Sequence, residues 1–212
     1  MTPQAVIFDF NGTLSDDEPI LYRIFAELLA EHGRPLSAQE YFDELAGLSD
    51  PEIVRTWLGH DHPDVDAVIA ERVERYRAAV AGGSSVPERV RVAVRYAAER
   101  VPLAICSGAA HAEIEPVVEA SGLEPLFRGI VAADDVVEGK PHPEGYRKAL
   151  ELLRVPATDV AVFEDTEAGI ASAKAAEMQC FGVLGTLAPD RLAAADEIVP
   201  AIDLPLMRRM LG

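Results

Sequence analysis

Short apolar runs and longer amphipathic stretches divide this chain. Ala5 to Phe8 is a continuous apolar run that stops at Asp9, a pattern that predicts a parallel strand buried on both faces. Similar runs predict strands at Leu103 to Cys106, Gly129 to Val131, Val160 to Phe163 and Cys180 to Leu184, with another near Ile198. Helical patterns separate them: Ala112 to Ser121, stopped by Gly122; Pro143 to Leu153, opened by proline; and the alanine-rich Glu167 to Glu177. A short helix, Leu204 to Met210, closes the chain. This alternation predicts an α/β fold with a doubly wound parallel sheet and a ligand site beyond the carboxyl ends of its strands.

The stretch after Leu14 breaks the rhythm, with helical patterns and no convincing strand. Pro19 opens a helix whose Ile20, Leu21, Ile24, Phe25, Leu28 and Leu29 form one stripe, and Gly33 closes it. Further helices are expected over Ala38 to Leu45, Pro51 to Leu58 and Val65 to Val80, followed by a Gly82, Gly83, Ser84, Ser85 cluster that reads as a hinge. The expectation is a Rossmann-like core of residues 1–14 and 84–212 interrupted by an all-helical cap of residues 15–83 that closes over the site as a lid.

Charge narrows the partners. Nineteen Lys and Arg against 36 Asp and Glu leave a net charge of -17, which removes the attraction behind most nucleic-acid binding. A small phosphorylated metabolite is less affected, because a metal ion and one or two cations can reverse the field inside a pocket. No apolar run is long enough to suggest a membrane span, and no signal-type segment precedes the first strand, so the chain reads as cytoplasmic. Cys106 and Cys180 lack metal-ligand spacing and read as packed thiols.

Chemistry-bearing residues gather at the predicted strand ends. VIFDFNGTL contains Asp9, SGA covers Ser107 to Ala109, GKP covers Gly139 to Pro141, and FEDTEAGI places Glu164 and Asp165 side by side. Two adjacent carboxylates repel unless a cation or solvent compensates them. Together, in this order, the four segments resemble the haloacid dehalogenase-like hydrolase superfamily, in the branch of phosphatases and β-phosphoglucomutases with helical caps.

That resemblance implies a Mg²⁺-dependent phosphatase in which Asp9 attacks phosphorus to form an aspartyl-phosphate that water then cleaves. Asp9, the main-chain carbonyl of Asn11 and Asp165 would hold the ion, with Glu164 either touching it or supporting a ligand. Lys140 would hold the nucleophile and a phosphate oxygen, and Thr13, Ser107 and the amides of Gly108 and Ala109 would bind the transferring group. His111, Asp134 and Asp135 are left unassigned.

One departure stands out. Such hydrolases carry an aspartate two residues after the nucleophile as general acid and base, and Asn11 stands there instead. An amide cannot exchange a proton near neutral pH, so phosphate and metal binding should survive while turnover suffers. An engineered substitution, a natural substrate with a good leaving group and a binding-only pseudoenzyme all fit.

β-Phosphoglucomutases are the nearest rival. They carry a cap histidine where this chain has Leu21 and an arginine where it has Asp50, an acid that would repel a second phosphate. The phosphonate-cleaving relatives need a cap lysine, and no lysine precedes Lys140. The cap's polar Arg23, Arg55 and His60 cannot be placed from sequence.

Overall fold

The computed structural model describes residues 2–81 and 85–212. Its framework is a six-stranded, all-parallel sheet in the order β3-β2-β1-β4-β5-β6. The strands are β1 (Ala5–Phe8), β2 (Leu103–Cys106), β3 (Phe127–Val131), β4 (Val160–Glu164), β5 (Gln179–Val183) and β6 (Glu197–Val199). Strand direction reverses its lateral progress at β1, between β2 and β4, which opens a crevice at their carboxyl ends. All residues of β1, β2 and β4 are buried, as the unbroken apolar runs require. Phe163 stacks between Phe8 and Phe181, tying β1, β4 and β5 across their ends.

The helices of the core are α5 (Glu88–Ala98), α6 (His111–Ala120), α7 (Glu144–Leu153) and α8 (Glu167–Ala175), which lead into β2, β3, β4 and β5, and the C-terminal α9 (Leu204–Leu211). α7 packs on β2 and β3, α8 on β4 and β5, and α5 against α9. α5 was not read from the pattern, although Val90, Ala93, Val94 and Ala97 are buried at helical spacing; its three arginines interrupt the apolar signal.

Between β1 and α5 lie α1 (Glu18–Glu31), α2 (Ala38–Glu40), α3 (Asp50–Leu58) and α4 (Val65–Val80), with no strand among the described residues of this stretch. α1 and α3 pack on α4, and α1 buries Ile24, Phe25, Leu28 and Leu29, the predicted stripe without its first turn. The helix expected over Ala38 to Leu45 is divided: Ser37 and Glu40 form a capping box, then Tyr41–Leu45 widens to a π-turn closed by the Ala46 N–H on the Tyr41 carbonyl. That turn buries Tyr41, whose hydroxyl donates to Glu18. Of the expected hinge, Gly82, Gly83 and Ser84 lie outside the described residues.

Candidate active site

Four strand ends converge on one point. Asp9 follows β1, and its amide donates to the Phe163 carbonyl at 2.9 Å, extending the ladder so that the carboxylate emerges beside β4. Glu164 ends β4 and Asp165 follows it; Ser107 follows β2 and is anchored through its amide to the Val131 carbonyl at 2.9 Å. Lys140, in the turn after β3, reaches across to donate to Asp9 Oδ1 at 2.6 Å, Glu164 Oε1 at 2.5 Å and the Cys106 carbonyl at 3.1 Å. Its three donors are all used, and they leave Asp9 Oδ2 without that partner.

The two adjacent acids differ in their surroundings. Glu164 is saturated: Oε1 also accepts from Tyr146 Oη at 2.9 Å, and Oε2 accepts from the Asp165 amide, the Thr166 amide and Thr166 Oγ1 at 3.1 to 3.2 Å. Asp165 accepts from Thr13 Oγ1 at 3.1 Å and from the Thr186 hydroxyl. Gly12, at φ +70°, passes so close that a Cβ there would lie 1.9 Å from Asp165 Oδ2, so only glycine lets the loop turn over this carboxylate.

Asp9, Glu164 and Asp165 are all buried and offer oxygen atoms within 4.8 Å of one another. Burial pushes the Asp9 carboxyl well above the usual carboxylate range; Lys140 opposes this, while Glu164 and Asp165 add to it. Asp165 is pushed up by burial and then by Glu164. Burial works against the Lys140 charge, but Asp9 and Glu164 outweigh it and hold the ammonium above its ordinary range. Three carboxylates against one ammonium leave surplus negative charge in a set of hard oxygen donors, which suits a small divalent cation. A second cluster, His32, His62 and Asp64, lies outside this cavity.

Asn11 stands beside Asp9 in the cavity, but its Nδ2 donates to Asp17 Oδ2 at 3.0 Å and to Tyr76 Oη at 3.4 Å. Tyr76 Oη also donates to Asp17, which is buried and, through that burial, held above its ordinary pKa. Glu18 lines the same cavity; burial, then Asp17, raises its carboxyl to about 7. The cavity, about 650 Å³, lies between the strand ends and the helical insertion and takes in Asp9, Asn11, Ser107, Gly108, Ala109, Lys140 and Asp165. Thr13 and Glu164 sit behind it, through Asp165 and Lys140 respectively. The Ala109 amide, expected to bind the transferring group, instead donates to Ser107 Oγ at 3.1 Å, so it presets Ser107 within its turn.

Several site residues were missed in the sequence. Tyr146, Thr186, Asp17 and Tyr76 carry no motif, and Arg72 was absorbed into the helical pattern of α4. Arg72 is buried and bridges Asp50 of the insertion to Glu113 of α6. Arg23, Arg55 and His60 are exposed and outside the cavity. His111 pairs with Asp135 at 2.8 Å, and its amide is capped by Asp134, so these three form a helix-start cluster outside the cavity. Burial pushes the Cys106 thiol up to about 12, in keeping with a packed, unreactive cysteine.

Comparison with known proteins agrees with this geometry. A family model described as haloacid dehalogenase-like hydrolase matches residues 6–183. Validoxylamine A 7'-phosphate phosphatase of Streptomyces hygroscopicus subsp. limoneus is 30% identical over 212 residues, covering 92% of both chains. Phosphoglycolate phosphatase of Yersinia pestis is 28% identical, over 97% of this chain and 95% of its own. The crystal structure of a CbbY variant from Rhodobacter sphaeroides with xylulose-(1,5)bisphosphate superposes with a TM-score of 0.82 at 28% identity, covering 94% of this chain and 95% of that one. No helix among the described residues is long and apolar enough to cross a membrane. With its parallel sheet, its four strand-end motifs and its relatives in agreement, the chain belongs to the haloacid dehalogenase-like hydrolases, in their phosphatase branch.

Proposed function

We propose that the protein is a Mg²⁺-dependent phosphatase that releases phosphate from a small phosphorylated metabolite through an aspartyl-phosphate on Asp9. The observation that carries this reading is the Lys140 bridge, which fixes one oxygen of a buried carboxylate at a strand end and leaves the other toward the cavity. Asp9 Oδ2 attacks phosphorus, the bond from phosphorus to the ester oxygen breaks, and the oxygen departs as an anion that takes its proton from solvent. Ser107 Oγ–H and the Gly108 amide donate to the phosphoryl oxygens, and Lys140 neutralises charge that builds up there. Water then attacks the acyl phosphate at phosphorus, the bond to Asp9 Oδ2 breaks, the water's proton passes to solvent, and inorganic phosphate and the Asp9 carboxylate are released.

Asp9, Asp165 and the Asn11 main-chain carbonyl are the residues that would hold Mg²⁺, which when bound offsets their surplus charge and that of the phosphoryl group. Both Glu164 oxygens are engaged, so its part is to position Lys140 and the loop carrying Asp165. Asn11 supplies no proton, which favours substrates whose leaving oxygen departs readily. The helical insertion acts as a cap, residues 15–83 set on a core of 1–14 and 84–212, and excludes water from the cavity between them. Asp50 at the mutase arginine position favours hydrolysis of a monophosphate over mutase chemistry.

The test is p-nitrophenyl phosphate turnover with and without Mg²⁺, together with mass spectrometry of quenched protein. Metal-dependent release of nitrophenol and a phosphoryl adduct on Asp9 are expected, and both vanish in Asp9→Asn. Phosphate-ester affinity without turnover, in this chain and in Asn11→Asp alike, would overturn the reading in favour of a binding-only protein.

A further inference from the structure

Outside the transfer chemistry, one arrangement in the cavity has no part in holding the phosphoryl group. Asp50 comes from the first turn of α3 and Arg72 from α4, both in the insertion, while Glu113 comes from the first turn of α6 in the core. The two guanidinium amino groups are each taken by a carboxylate, Asp50 on one side and Glu113 on the other. Glu113 is fixed further by the Ala110 amide, 3.2 Å from its second oxygen.

We infer that the Asp50–Arg72–Glu113 triad selects a monophosphate whose remainder is rich in hydroxyls, above all one that carries an ammonium group, and turns away a second anion. The inference rests on the phosphatase reading above and adds its substrate class. Charge supplies the first argument. Among the described lining residues the only Lys, Arg or His side chains are Lys140 and Arg72, and each is already shared by two carboxylates. A second phosphate or a carboxylate therefore finds no free cation, and it meets Asp50, Glu113 and the nearby Glu18. To win Arg72 it must displace a buried partner and leave that partner's charge uncompensated.

Hydrogen-bonding capacity supplies the second argument. Arg72 is only 5% exposed, its two amino groups are taken and its Nε is buried, so the guanidinium has no donor within reach of a ligand and the carboxylates beside it present acceptors alone. The Asp50 side chain keeps 22% of its surface accessible and has acceptor capacity to spare. Acceptors without a free donor match the O–H of a hydroxyl, which can donate to them, and an ammonium both donates and gains Coulomb attraction from the surplus acids. A methyl or aryl group would strip water from the Asp50 carboxylate and give it no donor in return.

The test compares glucosamine 6-phosphate, glucose 6-phosphate, fructose 1,6-bisphosphate and phosphoglycolate by kcat/KM, and by calorimetric affinity for Asp9→Asn, which needs no turnover. The two monophosphosugars are expected to lead by about tenfold or more, glucosamine 6-phosphate first, in both readouts. Asp50→Asn and Glu113→Gln should each shrink the ratio of sugar monophosphate to bisphosphate, mainly through KM; the second variant decides if the first fails to fold. Preference for the bisphosphate or phosphoglycolate, or a ratio unmoved in the folded variants, overturns the inference. Hydrolysis of p-nitrophenyl phosphate with the wrong ranking sinks this inference alone. A total lack of hydrolysis sinks the phosphatase reading, and the affinities for Asp9→Asn still decide the ranking.

Discussion

At the scale of single residues, the site is governed by where protons sit. Asn11 donates to Asp17, so Asn11→Asp would set two carboxyls against each other in a buried place, and the pair would keep one proton toward neutral pH. That shared proton is available to a leaving oxygen. General acid–base assistance is worth on the order of a hundred- to ten-thousand-fold, about 3 to 5 kcal/mol. Asn11→Asp should accordingly raise turnover of an alkyl phosphate by that order, while the first step with an aryl phosphate improves far less. Burst and steady-state rates on both substrates check this, and equal gains on the two would show that position 11 does not exchange the proton. Glu18 gives a second expectation, in chelator. Its carboxyl stands at about 7 in the folded chain against an ordinary 4.5, chiefly through burial and then Asp17. Below its ordinary value both states are protonated. Between the two values the unfolded chain ionises first, so stability is lost as pH rises, and above about 7 the loss is constant at about 3 kcal/mol at most. Glu18→Gln removes the ionisation, so its advantage over the parent in urea unfolding should be larger at about pH 8 than at about pH 5. An equal difference at both would mean that Glu18 titrates normally.

At the scale of elements, α8 shows how packing can override propensity. Gly169 lies in its first turns, where alanine would normally gain about 1 kcal/mol of helix stability. A Cβ there, however, would lie 1.9 Å from the Glu164 carboxyl, which is fully buried and held on both oxygens. Overpacking typically costs about 1 to 3 kcal/mol. Gly169→Ala should therefore be destabilising on balance and should lower aryl-phosphate turnover more than it lowers the melting temperature would suggest, since Glu164 locates Lys140. Thermal melts beside turnover at a temperature where both proteins are folded test this; a stabilised, fully active variant would refute it. The same contrast between local and distant determinants decides what the sequence could reveal. β1 and β2 were legible to the residue because a strand buried on both faces needs an unbroken apolar run, and α4 because its pattern spans more than four turns. The π-turn at Tyr41 was not, since the buried tyrosine at its start is held by Glu18, 23 residues away, a contact that no local spacing announces. In the site, Asp9, Lys140, Glu164 and Asp165 stood out through motifs at strand ends. Tyr76 and Arg72 did not, because their partners Asp17 and Glu113 lie 59 and 41 positions away and no local spacing announces such contacts.

At the scale of the whole molecule, the net charge of -17 sets the terms on which any phosphate ester arrives. Among the described residues the cavity's side chains offer no compensating funnel, since its two cations are paired and acids outnumber them along the wall, which leaves Mg²⁺, when bound, to supply the local positive charge. A dianionic substrate must then approach against the overall field. The reach of that field depends on salt: the screening length is about 30 Å at 0.01 M ionic strength, comparable with the size of the molecule, and about 8 Å at 0.15 M. Raising ionic strength should shrink the repulsion faster than it weakens the short, buried contacts that hold the bound phosphoryl group. With Mg²⁺ saturating throughout, kcat/KM for a dianionic ester should consequently rise several-fold over this range, carried by KM, while kcat stays nearly level. An ammonium-bearing monophosphate should respond less, because its positive group is drawn by the same field that repels the phosphate. The measurement is a salt titration of both substrates at fixed metal occupancy. A kcat/KM that falls with salt for the dianion would mean that a local positive potential, from the bound Mg²⁺ or from cavity cations freer than their ion pairs indicate, steers the ester despite the acidic surface.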